Sequence, residues 1–215
     1  AVKAAAEKLQ KEGFSVSYLP VNGQGRVETN VLQGLLGPRT GIVAVMAVNN
    51  ETGVVQPIKE LAELTHESGA LFFTDAVQAA PHMPLKVKEL GVDMLSLSSH
   101  KFYGPKGGGA LYVKGGVKIK PLIVGGEQER GLRGGTTNVA TAVGMAAAYA
   151  KTAAELPRTQ KKLRALRAAF IDGLAALDGV HIYGGEKDIP AVLSLRIEGV
   201  TGVDLVYKLD LNGVS

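Results

Sequence analysis

"VDMLSLSSHKFYGPKGGGALYV", residues 92–113, consists of two apolar runs joined by a polar, glycine-rich connection. The first run has the near-continuous apolar character of a strand covered on both faces, and it delivers Ser98, Ser99, His100 and Lys101 in succession at its carboxyl end. The same design occurs twice upstream. GIVAVMAV (41–48) runs into Asn49, Asn50 and Glu51, and ALFFT (70–74) runs into Asp75, with Gln78 three residues on. Helical patterns near 29–36, 57–68 and 86–90 separate these strands; Pro57 marks the start of the second and Gly69 its end. Strands alternating with helices predict an α/β fold with a mostly parallel sheet flanked by helices. Ligands of such sheets collect at the carboxyl ends of the strands, which here carry amides, carboxylates, hydroxyls, an imidazole and an amine.

Further out, the pattern predicts a helix over 1–12 and a strand at FSVSYL (14–19). After Asn138 it changes to long Ala/Leu-rich helices broken at Pro157, followed by strands VHIY (180–183) and AVLSLRI (191–197) and a helix GVDLVYKLDL (202–211). The change places a domain boundary near Pro157: 1–157 as part of a large domain and 158–215 as the beginning of a smaller α+β C-terminal domain. Opening on a helix without Met and stopping just after an apolar helix, the chain reads as an interior piece of a longer protein.

The 215 residues are 46% hydrophobic with a formal net charge of +4. The cations are scattered except in RTQKKLRALR (158–167), whose spacing is that of a solvated helix face, so no nucleic-acid partner is expected. No apolar run reaches the roughly 18 residues of a membrane span, and a soluble, cytoplasmic protein is expected. There is no cysteine, which removes disulfides, thiolate metal sites and a cysteine nucleophile from this stretch; no metal site is assigned.

A carboxylate, an amide three residues later and a Ser-Ser-His-Lys run suit a phosphorylated pyridine aldehyde. Such a cofactor needs an acid for its ring nitrogen, an amine for a Schiff base and donors for its phosphate, and pyridoxal 5′-phosphate is that cofactor. At "VNNETGVVQPI" (48–58), "TDAVQAAP" (74–81), "LSSHKFYGPKGGGALYV" (97–113) and "GGEQERGLRGGTTN" (125–138) the chain resembles the class V aminotransferases, and among them the NifS/IscS-type cysteine desulfurases. The resemblance implies the type I fold of pyridoxal-phosphate transferases. It makes Lys101 the Schiff-base lysine, Asp75 the partner of the pyridinium nitrogen, Gln78 a donor to the phenolic oxygen, and Ser98 and His100 phosphate ligands. Asn50 would contact the substrate carboxylate. Thr136 would reach the phosphate of a neighbouring subunit's cofactor, which implies a homodimer with shared sites. Glu129, Arg130 and Arg133 would shape the loop that carries it. His66, His82 and His181 are given no role.

The implied activity is conversion of L-cysteine to L-alanine, with sulfur passed as a persulfide to an acceptor such as an iron–sulfur scaffold protein. The family's nucleophilic cysteine and its substrate-gripping arginine would lie beyond Ser215, and its ring-stacking histidine before Ala1, so these 215 residues alone are expected to be inactive. Other readings stay open: a selenocysteine lyase or another class V enzyme, and a non-catalytic interaction protein derived from a desulfurase. A nucleotide-binding domain fits poorly, because GPKGGG lacks the GxxxxGK[ST] pattern and leads into a strand.

Overall fold

The structure, a computed structural model, describes residues 2–214. Four strands form the main sheet in the order β1 (Ile42–Met46), β2 (Leu71–Asp75), β3 (Met94–Ser98) and β4 (Gly109–Val113). β1, β2 and β3 are parallel, whereas β4 runs antiparallel to β3. The mostly parallel sheet expected from the apolar runs is therefore present, with one antiparallel edge. Helices α1 (Val2–Lys11) and α2 (Thr29–Leu35) precede it, and α3 (Ile58–Glu67) and α4 (Val87–Leu90) connect the parallel strands.

The core follows from two periodicities. Val43 and Val45 of β1 and Phe72 and Thr74 of β2 alternate inward, as side chains two apart on a strand must. Ile58, Leu61, Ala62 and Thr65 form one face of α3, three and four residues apart, and the Thr65 hydroxyl donates to Leu61 O at 2.7 Å. Phe72, Leu61, Leu95, Val92 and Val48 are fully or almost fully buried in one cluster. Burying a side chain of that size stabilises the fold by about 1.5–3 kcal/mol.

The amino-terminal edge of β3 is fixed by a buried carboxylate. Asp93 accepts from Phe72 N–H at 2.8 Å, lies 2.7 Å from His66 Nε2, and pairs with Lys114 Nζ at 3.3 Å. Burial pushes its carboxyl up, but the Phe72 amide, His66 and Lys114 together hold it below its ordinary value. His66, given no role from the sequence, is thus one side of this structural cluster.

Two expectations need correction. The segment 14–19 enters neither sheet, and Phe14 and Tyr18 are exposed; its apolar–polar alternation meets no strand to pair with among the described residues. The break at Pro157 is absent, for α5 (Val139–Leu174) runs unbroken through it. Proline removes one N–H and crowds one carbonyl, which the long helical stretches on either side tolerate. Beyond α5, β5 (Val180–Tyr183) and β6 (Ser194–Ile197) form an antiparallel pair and α6 (Gly202–Leu211) follows. No helix among the described residues is long and apolar enough to cross a membrane.

Candidate active site

The parallel register sets Met46 beside Asp75 and Asp75 beside Ser96. The carboxyl ends of β1, β2 and β3 therefore share one rim, and polar residues follow each of them. Asp75 ends β2 and Ser98 ends β3 on this rim, Gln78 lies in the turn after β2, His100 and Lys101 lie in the segment after β3, and Asn50 lies in the turn after β1.

After β3 the chain turns through a 3-10 segment, Ser99–Phe102, that holds both His100 and Lys101. Its anchors are internal: Phe102 is fully buried and meets the Tyr149 ring of α5 edge-on, with centroids 5.4 Å apart. Ser99 N–H donates to Gly108 O and Gly104 N–H donates to Ser99 O, both at 3.0 Å. Tyr103 takes a left-handed conformation, φ 65°, to reverse the chain. Close packing explains two glycines. A Cβ on Gly104 would stand 2.1 Å from Ser99 Oγ, and one on Gly108 would stand 2.6 Å from Thr141 Cγ2 of α5. A fixed base thus presents His100 and Lys101 outward, both exposed.

Ser98 Oγ and His100 Nδ1 lie 3.0 Å apart, so hydroxyl and imidazole form one polar unit beside Lys101. Lys101 makes no ion pair among the described residues. Asp75, half-buried at the end of β2, accepts Val77 N–H on Oδ1 at 3.0 Å. Its other oxygen takes part in no hydrogen bond among the described residues. Half-buried Gln78 follows in the same turn.

The turn after β1 is braced by Asn49, which the strand-end pattern includes without a role. Asn49 Oδ1 accepts from both Glu51 N–H and Thr52 N–H at 2.9 Å, leaving Asn50 exposed at the tip. Thr136 is exposed in the loop before α5, and no hydrogen bond among the described residues joins it to the rim. In that loop Glu129 and Arg130 adopt left-handed backbone, and Arg133 donates to Gly134 O at 2.9 Å.

The rim is open. Two small cavities of about 100 Å³ lie elsewhere, beside Asp188, and neither is lined by Asp75, Gln78 or Lys101. The donor set nevertheless fits a phosphorylated aromatic aldehyde: a carboxylate with a free oxygen, an amide, a hydroxyl–imidazole unit for an anion, and an unpaired primary amine.

Comparison with known proteins agrees with this chemistry. Residues 1–215 match the family model for aminotransferase class V. A cysteine desulfurase IscS of Clostridium botulinum is 43% identical over 218 residues, covering all of this chain and 55% of that protein. A NifS-like protein of known structure superposes with a TM-score of 0.95 at 38% identity, over 99% of this chain and 59% of its own. An SspA structure in complex with cysteine gives a TM-score of 0.67 at 40% identity, over 69% of this chain and 43% of its own. The chain spans about half the length of the curated relatives it matches. The architecture is that of the NifS-like structures, the type I fold of pyridoxal-phosphate enzymes. Strand-end chemistry, fold and sequence agree, and the chain belongs to the class V aminotransferase family.

Proposed function

We propose that these residues are the cofactor-holding part of a pyridoxal-phosphate-dependent cysteine desulfurase, which converts L-cysteine to L-alanine and passes the sulfur to an acceptor. The single observation that carries this reading is that Asp75, Gln78, Ser98, His100 and Lys101 end or follow the carboxyl ends of adjacent parallel strands. The likeness to cysteine desulfurases supports the choice of reaction.

When bound, the family's cofactor supplies an aldehyde and an electron-accepting ring. The free oxygen of Asp75 would hold a proton on the ring nitrogen, and Lys101 would be the amine that holds the aldehyde. A free Lys101 amine would serve as the base at the substrate Cα. Ser98 and His100 bind the phosphate, Gln78 donates to the phenolic oxygen, and Asn50 orients the substrate carboxylate. The 215 residues contain no cysteine, so the group that attacks the substrate sulfur is not one of them.

The same proposal includes a homodimer in which Thr136 reaches the partner's cofactor, an iron–sulfur scaffold as acceptor, and a cytoplasmic location. It divides the chain into a large-domain part, 1–157, and the start of a small domain, 158–215, within α5. The test uses the full-length protein that contains this chain. Alanine released from L-cysteine, and lost with Lys101→Ala, supports the assignment. Release from L-selenocysteine alone, or undiminished release by the variant, overturns it.

A further inference from the structure

Asp188 lies far from the rim in sequence, yet its side chain is only 2% exposed. It accepts three hydrogen bonds from three segments: Arg26 Nη2 at 2.7 Å and Val55 N–H at 2.9 Å on Oδ1, and Gly185 N–H at 2.7 Å on Oδ2. Burial pushes the carboxyl up, but the Val55 and Gly185 amides and the Arg26 guanidinium outweigh it and hold it below its ordinary value. The ionised form is therefore built in.

The segments it joins bear on the Asn50 turn. Arg26 Nε donates to Val55 O at 3.3 Å, and Ile189 N–H donates to Gly53 O at 3.1 Å. Gly53, φ +73°, sits so close to Val192 that a Cβ would meet its Cβ at 3.0 Å. Buried Gln56 adds a second tie, donating to Gly25 O at 2.7 Å and accepting from Val27 N–H at 2.8 Å. From its other side the turn is held by Asn49, whose N–H donates to Val54 O and whose carbonyl accepts from Gly53 N–H. Asn50 stands, exposed, in a turn whose backbone is held by both sets of bonds.

We propose that Asp188 is a positioning residue for the candidate active site: its carboxylate fastens the Asn49–Val55 turn to Arg26 and the 184–192 segment, and so fixes where Asn50 meets the substrate carboxylate. The inference rests on the reading of Asn50 given above. It makes placement of Asn50 depend on a contact between the two proposed domain parts, because Asp188 follows Pro157 and its partners Arg26 and Val55 precede it.

The test uses the full-length protein and Asp188→Asn, which keeps size but turns an amide NH2 toward either Gly185 N–H or the Arg26 and Val55 donors. The expected result is a KM for L-cysteine raised about tenfold, with kcat within about twofold and cofactor content unchanged. Amide hydrogen exchange at Gly53 and Val55 speeds up by about tenfold while β2 and β3 keep their protection. Arg26→Gln, which keeps the carboxylate and its backbone donors, shifts both readouts in the same direction by a smaller factor and serves if Asp188→Asn does not fold. An unchanged KM with faster exchange overturns the positioning role, and unchanged exchange overturns the fastening itself. If the wild-type protein releases no alanine from L-cysteine, the reading of Asn50 fails; the exchange arm then decides by itself whether Asp188 fixes the turn.

Discussion

Replacing Gly104 by alanine perturbs the base of the Lys101 turn by one methyl group. The new Cβ would lie 2.1 Å from Ser99 Oγ, 3.1 Å from Ser99 O and 3.4 Å from Ala148 Cβ. The hydroxyl is the obstacle, since ordinary contact requires it to retreat by more than an ångström, and Ser99 is fully buried. Overpacking of this kind costs about 1–3 kcal/mol, and with no soft side chain to yield, the upper half of that range is expected. The cause can be isolated, because Ser99 Oγ is also a buried hydroxyl with no hydrogen-bond partner. A buried polar group left unpaired costs about 1–3 kcal/mol, so Ser99→Ala alone should be neutral or slightly stabilising. With the hydroxyl gone, the closest contact of the new methyl is the 3.1 Å approach to Ser99 O, and the double variant should recover most of the loss. Urea denaturation of the full-length protein reads all three as shifts in midpoint at constant slope. A Gly104→Ala protein as stable as wild type, or a double variant no better than Gly104→Ala, would refute the packing argument.

Asp93 and Asp188 are both held below their ordinary carboxyl values. A carboxylate depressed in the folded state contributes stability that is fully present above its unfolded value and lost as pH falls through the folded one, so urea midpoints should drop below about pH 4. Asp93→Asn should flatten that drop, and an unchanged acid slope would contradict the assignment. Pro157→Ala restores a donor toward the Ala153 carbonyl inside α5 and should stabilise the protein by about 1–3 kcal/mol. Thermal unfolding with no gain would mean that α5 does not run through Pro157 in solution.

Much of the rim was legible because apolar runs of five residues and the polar residues at their ends are adjacent in the chain, so the strand assignment itself carried Asp75 and Lys101 to one edge. α3 was equally plain from its spacing between Pro57 and Gly69, and α6 from its apolar spacing. What escaped depends on partners distant in sequence. Arg26, Val55 and Asp188 look ordinary apart and form one buried network only when three segments fold together. His66 reads as a helix-surface residue until Asp93 is seen 2.7 Å away. The helix through Pro157 went unseen because a local preference for breaking was outweighed by the helix on either side. The segment 14–19 failed the opposite way: a strand is made by its neighbour, and an alternating pattern cannot supply one. Asn49 carried a usable signal, an asparagine opening a turn that contains glycine.

The central claim is that Lys101 carries the cofactor. Borohydride reduction of the full-length protein followed by peptide mapping tests it most directly, because reduction locks the aldehyde carbon onto whichever amine holds it. The account predicts a pyridoxyl group on Lys101 that is absent from Lys101→Ala. A reduced adduct on another lysine of the wild-type protein, or cofactor retained with no trappable bond, would contradict it.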